Sequence, residues 1–392
     1  MATELPSTTL DDKVFLHRSI LQNFASLPDP RVERTKAHSL LNILSIAILA
    51  VLAGADSWVA IETFGKAKQT WLSEFLDLEN GIPSHDTFAR VFARLDPSEL
   101  QQGFLRWIHS IAQHIGAQVI AIDGKTLKQS YDRDHRLTAL HLVSAWASDH
   151  RLVLGQLKVH NKSNEITAIP ELLKMLDITG CVITLDAMGC QKKIASQIIT
   201  QGGNYLLALK GNQGNFFRGV QDWFEQAIEN HFDGVEFKRH QTIESSHHRI
   251  EKRECFTVPV EALEGVIEKE KWMGLKSIVM IVSHRKSWNQ ETQETRFYIS
   301  SLNSDAEEML RMIRSHWGIE NSLHWTLDVT YREDDSRIRQ GHSGENFALL
   351  RRMTVSLLNQ EKSFRGSQRM KRYRAAMDNE YLLKLLFAGI QN

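Results

Sequence analysis

The stretch QVIAIDGKT, residues 118–126, is where the character of the sequence changes. Before it, apolar residues recur every three or four positions, as they do on one face of a helix. Within it they alternate with other residues and several are β-branched, which is typical of a strand. Two further strand-like runs, at 138–147 and 152–159, follow with a short polar turn between them. The three runs predict three consecutive strands in a meander.

The elements expected after this meander alternate between helix and strand. A helix is predicted from about Pro170, which suits a first helical turn, to Leu176. A strand over 182–186, a helix over 192–201 and a strand over 205–210 follow, and a long helix over about 305–327 comes last. This order is that of a ribonuclease-H-like α/β core.

The segments around this core predict further domains. Ser84 is a good N-cap for a helix over 85–95, and Asp96 introduces another helix, so an all-helical N-terminal domain is expected. The predicted boundaries are 1–30 for an N-terminal tail, 31–116 for the helical domain, 117–360 for the catalytic domain with a β-rich insertion at 211–303, and 361–392 for a basic helical C-terminal tail.

Composition is that of an ordinary globular chain. The 392 residues are 42% hydrophobic and 24% charged, and the formal net charge is +0, so total charge does not point to nucleic acid. Three irregularly spaced cysteines and the absence of a secretory signal predict a cytoplasmic protein. The apolar run 40–55 is shorter than the roughly 20 residues of a membrane span, and a buried helix is predicted there.

Two aspartates are expected where strands of the core end. Asp123 is predicted to end the first strand and Asp186 the fourth, and glycines that permit close approach, Gly124 and Gly189, follow them. Each aspartate alone could be a turn residue. Together they occupy the places where nucleases and strand-transfer enzymes of this fold carry carboxylates.

Glu320 is the third candidate. On a helical wheel of about 100° per residue it shares a stripe with Met309, Ile313, Trp317 and Leu327, which predicts a core-facing glutamate. Such a carboxylate needs a cation or a strong donor. A buried ion pair with Arg314 or a histidine is the alternative, and Asp328 is the main competitor for the third ligand position.

Three carboxylates predict a magnesium site. Mg²⁺ takes oxygen ligands, and two ions about 4 Å apart can activate an attacking water or 3′-OH and stabilise the leaving oxygen. We therefore expect Asp123, Asp186 and Glu320 to bind two Mg²⁺, with Mn²⁺ as a substitute.

Ordered motifs between about residues 25 and 360 resemble the ISAs1-type insertion-sequence transposases, which include the H-repeat-associated proteins. The motifs are DGKT at 123–126, KSNEI at 162–166, LDAMGCQ at 185–191, LALKGNQ at 207–213, HWGIENSLHW at 316–325, LDV at 327–329 and REDDSRIR at 332–339. The resemblance implies an acidic-triad (DDE) transposase with a β-rich insertion and a helical domain before the core.

The chain departs from the related transposases around its third acid. A tyrosine, an arginine and a lysine are frequent there, and the matching places hold Ile313, His316 and Leu327. The usual roles of those residues do not transfer. His316, His324 or Asp328 could have an auxiliary role, and a histidine hydrogen-bonded against the helix is the alternative.

Local charge predicts contact with DNA. Residues 351–374 hold eight basic residues against one acid, and a basic stripe attracts phosphates. A solvated helix face is the alternative. The predicted contacts are Arg332, Arg337, Arg339, Arg351, Arg352, Arg369, Lys371 and Arg372.

Two further features are weaker candidates for DNA contact. The segment 84–94 could be a recognition helix with polar residues at its start, or an ordinary bundle helix. Trp272 and Trp288 could stack on a displaced base, although packed or partly exposed aromatics are the simpler interpretation.

The sequence predicts a bacterial-type, nucleoid-associated transposase that cuts DNA at element ends and joins the 3′-OH to target DNA, as a homo-oligomer on DNA. A metal-dependent nuclease of the same fold without strand transfer is one alternative. An inactive or repurposed remnant that only binds DNA is the other.

Overall fold

The structure is a computed structural model, and it describes residues 20–112, 118–131, 138–159, 165–246 and 249–388. The chain forms two compact units. The helical unit comprises the described residues of Met1–His114, Thr126–Leu140 and Trp325–Asn392. The sheet unit comprises the described residues of Ile115–Lys125 and His141–His324. The predicted domain boundaries, which follow chain order, stay a prediction.

The α-helices of the described residues are numbered α1 to α13. They are Leu40–Leu52, Trp58–Ala67, Gln69–Leu72, His85–Arg94, Pro97–Ala112, Glu165–Lys174, Lys192–Thr200, Gly214–Glu229, Ala306–Gly318, Trp325–Val329, Ser343–Gln360, Gln368–Met377 and Asn379–Leu385. The strands β1 to β9 are Val119–Thr126, His141–Ala147, Leu152–Lys158, Val182–Leu185, Asn204–Leu209, Lys238–Ser246, Arg249–Pro259, Ser277–Ser287 and Gln290–Ser300.

The helical unit is built on α1, whose residues are buried at every position but Leu41. Ser39 caps this helix, and Ser84 caps α4 by accepting the backbone N–H of Thr87, as its place before the helix predicts. The predicted buried helix within 40–55 is confirmed. Among the described residues, the helices fall short of the length and apolar character needed to cross a membrane.

The sheet unit contains one sheet of nine strands in the order β3-β2-β1-β4-β5-β9-β8-β7-β6. Strands β2 and β3 are antiparallel, whereas β4 is parallel both to β1 and to β5. Helices α6 and α7 follow β3 and β4 in the chain. The strands β1 to β3, the parallel strands β4 and β5 and the intervening helices confirm the predicted ribonuclease-H-like α/β core, and the helices from α1 to α5 confirm the helical region before it.

The predicted β-rich insertion extends this same sheet. Strand β9 pairs antiparallel with β5, and β8, β7 and β6 follow outwards as antiparallel neighbours. Helix α8 precedes these strands and buries Phe216, Val220 and Phe224. The insertion therefore adds four strands to the sheet next to β5, on the side away from β4.

Helix α6 begins earlier than predicted. It runs from Glu165, so Pro170 lies inside the helix and not in its first turn. A proline there removes one i→i−4 hydrogen bond. The helix tolerates that loss because Ala168, Ile169, Leu172 and Leu173 are buried on one face. Tertiary packing, and not local propensity, therefore decides where this helix begins.

Four of the predicted DNA contacts are inside the helical unit. Arg351 and Arg352 are 1% and 0% exposed. Arg352 donates a 2.8 Å hydrogen bond to Glu333, and Arg351 lies over the Phe347 ring at 4.4 Å. The expectation of a solvent-facing stripe is wrong for these two residues, because their charges face a buried carboxylate and an aromatic ring.

Lys371 and Arg372 are buried as well. Lys371 donates to the backbone oxygens of Leu358 and Glu361. Arg372 donates to the backbone oxygens of Val51 and Thr330 and lies 4.0 Å from the centre of the Tyr331 ring. These two cations satisfy backbone carbonyls within the unit, so the prediction of a phosphate contact is wrong for them too.

We predict that Glu333→Ala lowers the free energy of unfolding by about 3–5 kcal/mol, because it leaves buried guanidinium groups without their carboxylate. Urea unfolding followed by circular dichroism measures the change. Asp335→Ala is the matched control in the same short helical turn: Asp335 is 63% exposed beside Arg332, and its loss should cost less than about 1 kcal/mol. Equal losses from both changes would show that the buried pair is not what stabilises this unit.

Candidate active site

Asp123 and Asp186 lie side by side through strand register. The parallel pairing of β1 with β4 runs from Val119↔Val182 to Ile122↔Leu185, so the two aspartates are the next residues of their strands. Neighbouring strands are about 4.8 Å apart. Contrary to the expectation, Asp123 does not end β1, because the strand continues to Thr126. It comes directly after the paired segment, which leaves its position beside Asp186 unchanged.

Hydrogen bonds fix the side chain of Asp186. Its Oδ1 accepts the backbone N–H groups of Met188 at 3.0 Å and Gly189 at 3.1 Å. The other carboxylate oxygen takes part in neither bond. Asp186 is therefore held by the turn that follows β4 while one oxygen remains for another partner.

The LALKGNQ motif holds this turn from the neighbouring strand. Asn212 donates its side-chain amide to the backbone oxygen of Ala187 at 2.6 Å, and Gln213 donates to that of Cys190 at 2.6 Å. Both residues follow β5. The motif thus has a positional role, because its two amides clamp the loop that carries Asp186.

Glu320 lies on the closing helix but is exposed, so the expectation of a core-facing glutamate is wrong. The helix Ala306–Gly318 passes into a π-helical segment, Ile319–His324, and Glu320 is in its first turn. The wheel gave the correct side of the helix, since Glu320 and Asp186 line one cleft. The helical wheel could not show that this side of the helix faces an open cleft at Glu320, although the same side faces the core at Met309 and Ile313.

The cleft has a volume of about 340 Å³ and lies beside the ends of β4 and β5. Besides the two acids, its wall includes Arg296, whose guanidinium lies 4.6 Å from the centre of the Trp317 ring. Glu294 accepts two hydrogen bonds from Arg296, at 2.7 and 2.9 Å. A cation on an aromatic surface next to acids suits a substrate that carries both phosphates and flat bases.

The neighbouring acids interact electrostatically with Asp123. Burial, together with repulsion from Glu165, Glu320 and Asp186, raises the pKa of Asp123 to about 7, although the backbone N–H of Gly124 opposes the shift. Like charges that converge on one carboxyl favour its protonated form, and a cation would reverse that preference. The acids are therefore close enough to act on one another.

The same acids are not closed into a cage. Over the part of the chain that the structure describes, no group of three or more His, Cys, Asp or Glu side chains is arranged to hold a metal ion. Two of them, Asp186 and Glu320, border an open cleft. Their chemistry nevertheless fits Mg²⁺, because carboxylate oxygens whose charges repel one another are suitable donors for a hard cation that also keeps water and phosphate oxygens.

His316 is neutral in this environment. Its Nδ1 lies 2.9 Å from Thr184 Oγ1, and burial lowers its pKa to about 4 against the opposing attraction of Asp186. An imidazolium contact to phosphate from His316 is therefore disfavoured near neutral pH. The structure shows the alternative, a histidine that is hydrogen-bonded within the fold.

The other two auxiliary candidates, His324 and Asp328, belong to different units. His324 Nδ1 lies 3.6 Å from Asp123 Oδ2, so this histidine is next to the acids. Asp328, in contrast, belongs to the helical unit, whereas the three predicted metal ligands all belong to the sheet unit. Ile313 and Leu327 are buried apolar residues.

Sequence reasoning missed two groups at this site. Glu165 hydrogen-bonds with His141 at 2.7 Å and affects Asp123, and Arg296 lines the cleft. Glu165 stands in the quoted KSNEI motif, so a signal was present, although residues 162–164 of that motif lie outside the described residues. No sequence pattern indicated Arg296, because its strand belongs to the insertion. The position of that insertion in the sheet is decided by the tertiary structure.

Three of the predicted DNA contacts, Arg332, Arg337 and Arg369, are exposed. Arg339 is half-buried and donates to the backbone oxygen of Gln129. These four stay predictions.

The weaker candidates also differ in exposure. Helix α4 buries Phe88, Val91 and Phe92 and exposes its polar start, which fits either interpretation. Trp272 is 3% exposed and packs near Phe216, in agreement with the simpler interpretation of a packed aromatic residue. Trp288 is 88% exposed in the two-residue turn between β8 and β9.

Comparison with known proteins gives two family matches. The model described as "Transposase DDE domain" matches residues 114–357, and the one described as "DDE_Tnp_1-associated" matches residues 21–108. A relative from Escherichia coli K12, "H repeat-associated putative transposase YhhI", is 41% identical over 94% of this chain and 98% of its own length. "Putative protein YbfL" of the same organism is 42% identical over the same shares. These matches confirm the resemblance to the H-repeat-associated proteins.

Among solved structures, a piggyBac transposase synaptic complex with hairpin DNA is similar at 10% identity and a TM-score of 0.44. The match covers 98% of this chain and 84% of that one.

We predict that Asp123→Asn stabilises the metal-free protein at pH 8 and not at pH 4. The folded-state pKa of Asp123, about 7, lies above its ordinary value of 3.8, so ionisation costs folding energy once the pH rises through this window. The gain at pH 8 should approach about 4 kcal/mol at most. Urea unfolding in EDTA at both pH values measures it, and Asp222→Asn, on an exposed face of α8, is the control. A gain that does not depend on pH would contradict the electrostatic cause.

Proposed function

This chain belongs to the family of transposases with a DDE domain, and we propose that it cuts DNA at element ends and joins the resulting 3′-OH to target DNA. The carrying observation is the register of β1 and β4, which sets Asp123 beside Asp186, together with Glu320 on the same cleft as Asp186. Oxygen ligands from three directions suit metal-dependent phosphoryl transfer.

In this proposal Asp123, Asp186 and Glu320 hold two Mg²⁺, which when bound activate the attacking oxygen and stabilise the leaving oxygen. The chain's own residues supply the rest. The turn after Asp186 keeps that carboxylate in place, and Asn212 and Gln213 keep the turn in place. Arg296 and Trp317 form a surface on which a DNA strand can lie next to the acids.

The proposed setting is a bacterial cytoplasm, on the nucleoid. The reaction joins two element ends to one target, so we propose that two or more subunits assemble on DNA. Electrostatic contact with the backbone is assigned to Arg332, Arg337, Arg339 and Arg369, which retain some exposure. A nuclease that does not join strands, or a remnant that only binds DNA, are the competing functions.

We expect the wild-type protein with Mg²⁺ to cut labelled DNA carrying the flanking element ends and to join them to a target plasmid. Asp186→Asn should lower both rates by at least roughly 100-fold, because it removes a direct ligand, and even outer partners of a metal site are worth 10–100-fold. Gel analysis of cleaved and joined products separates the two steps, while a gel shift tests binding. Asp177→Asn, on the loop before β4, is the control.

Each outcome selects one function. Cutting and joining by the wild type, with loss of both in Asp186→Asn, supports the transposase. Cutting without joining supports the nuclease. Binding of the flanking element ends without cutting by either protein overturns the enzyme proposal in favour of the remnant.

The arginines can be tested by salt dependence. We predict that Arg337→Ala weakens DNA binding and lowers the slope of log K against log salt by about 0.9 for each phosphate that the variant no longer neutralises. Fluorescence anisotropy at several salt concentrations measures the slope. Arg352→Lys, which keeps the charge of a buried residue, should leave the slope unchanged. An unchanged slope in Arg337→Ala would remove this residue from the DNA surface.

A further inference from the structure

A glutamate outside the three predicted ligands lies against the strand that carries Asp123. A side chain at Gly124 would collide with the Glu165 carboxylate, and its Cβ would be only 2.8 Å from His141 Nε2. Glycine at this position therefore lets Glu165 and His141 approach the backbone of β1 directly. The residue that they approach is next in the chain to Asp123.

Glu165 is held in a defined orientation. His141 Nε2 and Glu165 Oε1 are 2.7 Å apart, and the two side chains are 27% and 15% exposed. His141 is the first residue of β2 and Glu165 the first residue of α6. The Glu165 carboxylate also lies at the N-terminus of α6, where the helix dipole favours a negative group.

The Glu165 carboxylate lies against Gly124, the residue that follows Asp123 in β1. An ion pair that only fastens α6 to β2 would gain nothing from this position. Placing a further negative charge next to Asp123 costs energy unless a cation is bound between the carboxylates.

We propose that Glu165, oriented by His141, is a fourth carboxylate of this centre and contributes to binding of the divalent cation on the Asp123 side. This inference rests on the proposed function, since it adds one residue to the same metal site. His141 is the positioning residue, because carboxylates that bind metals are commonly held in place by a hydrogen bond from an outer residue.

The test is binding of Mn²⁺ to the full chain without DNA, measured by isothermal titration calorimetry. Glu165→Gln keeps the shape and a hydrogen-bonding group for His141 but removes the charge, and we expect Mn²⁺ affinity to fall about 10–100-fold. Glu171→Gln is the matched control, because Glu171 is 61% exposed on the same helix. It should bind Mn²⁺ like the wild type.

A second variant covers the case in which Glu165→Gln does not fold, as judged by circular dichroism and Tm. Glu165→Asp keeps the charge but withdraws it by one methylene, so Mn²⁺ affinity should fall by a smaller factor. Unchanged affinity in the folded Glu165 variants, with loss in Asp186→Asn, would show that Glu165 only fastens α6 and would overturn the inference alone. Absence of Mn²⁺ binding in the wild type would overturn both the inference and the metal site of the proposed function.

Discussion

The parallel pairing of β1 with β4 positions the acids, and the geometry of the whole site follows from it. The paired segments end at Ile122 and Leu185, and the next residue in the chain is an aspartate in both cases. A slip of one residue would turn one of them to the opposite face of the sheet. Residues 119–122 and 183–185 are buried in unbroken runs, so both faces of each strand are packed and a slip would disturb the packing on both.

The other parts of the sheet unit have clear relations to this pair. Strand β5 lies on the far side of β4, and the residues that follow it clamp the loop after Asp186. The insertion continues the sheet from β5 through β9, which brings Arg296 to the cleft, while the closing helix brings Trp317 and Glu320. A segment that interrupts the core in sequence thus contributes part of the site's wall.

Charged side chains in this protein lie close together at two places where burial or repulsion costs free energy. Acids converge around Asp123 in the sheet unit, and Arg351 and Arg352 share the buried Glu333 in the helical unit. The two cases differ in compensation. The arginines have a carboxylate, carbonyl groups and an aromatic ring within the protein, whereas the acids repel one another, and this repulsion adds to burial in raising the pKa of Asp123.

Local signals in the sequence were sufficient to predict the order of strands and helices, the capped helices and the strands on which Asp123 and Asp186 lie or end, although Asp123 proved to lie within its strand, because alternation, helical periodicity and capping residues act over a few positions. The family motifs were also legible there. The same signals misplaced the start of α6 and the exposure of Glu320, and they put four buried cations in a solvent-facing stripe. Tertiary packing settled these points and brought Glu165 and Arg296 to the acids, because burial and charge partners depend on residues far away in the chain.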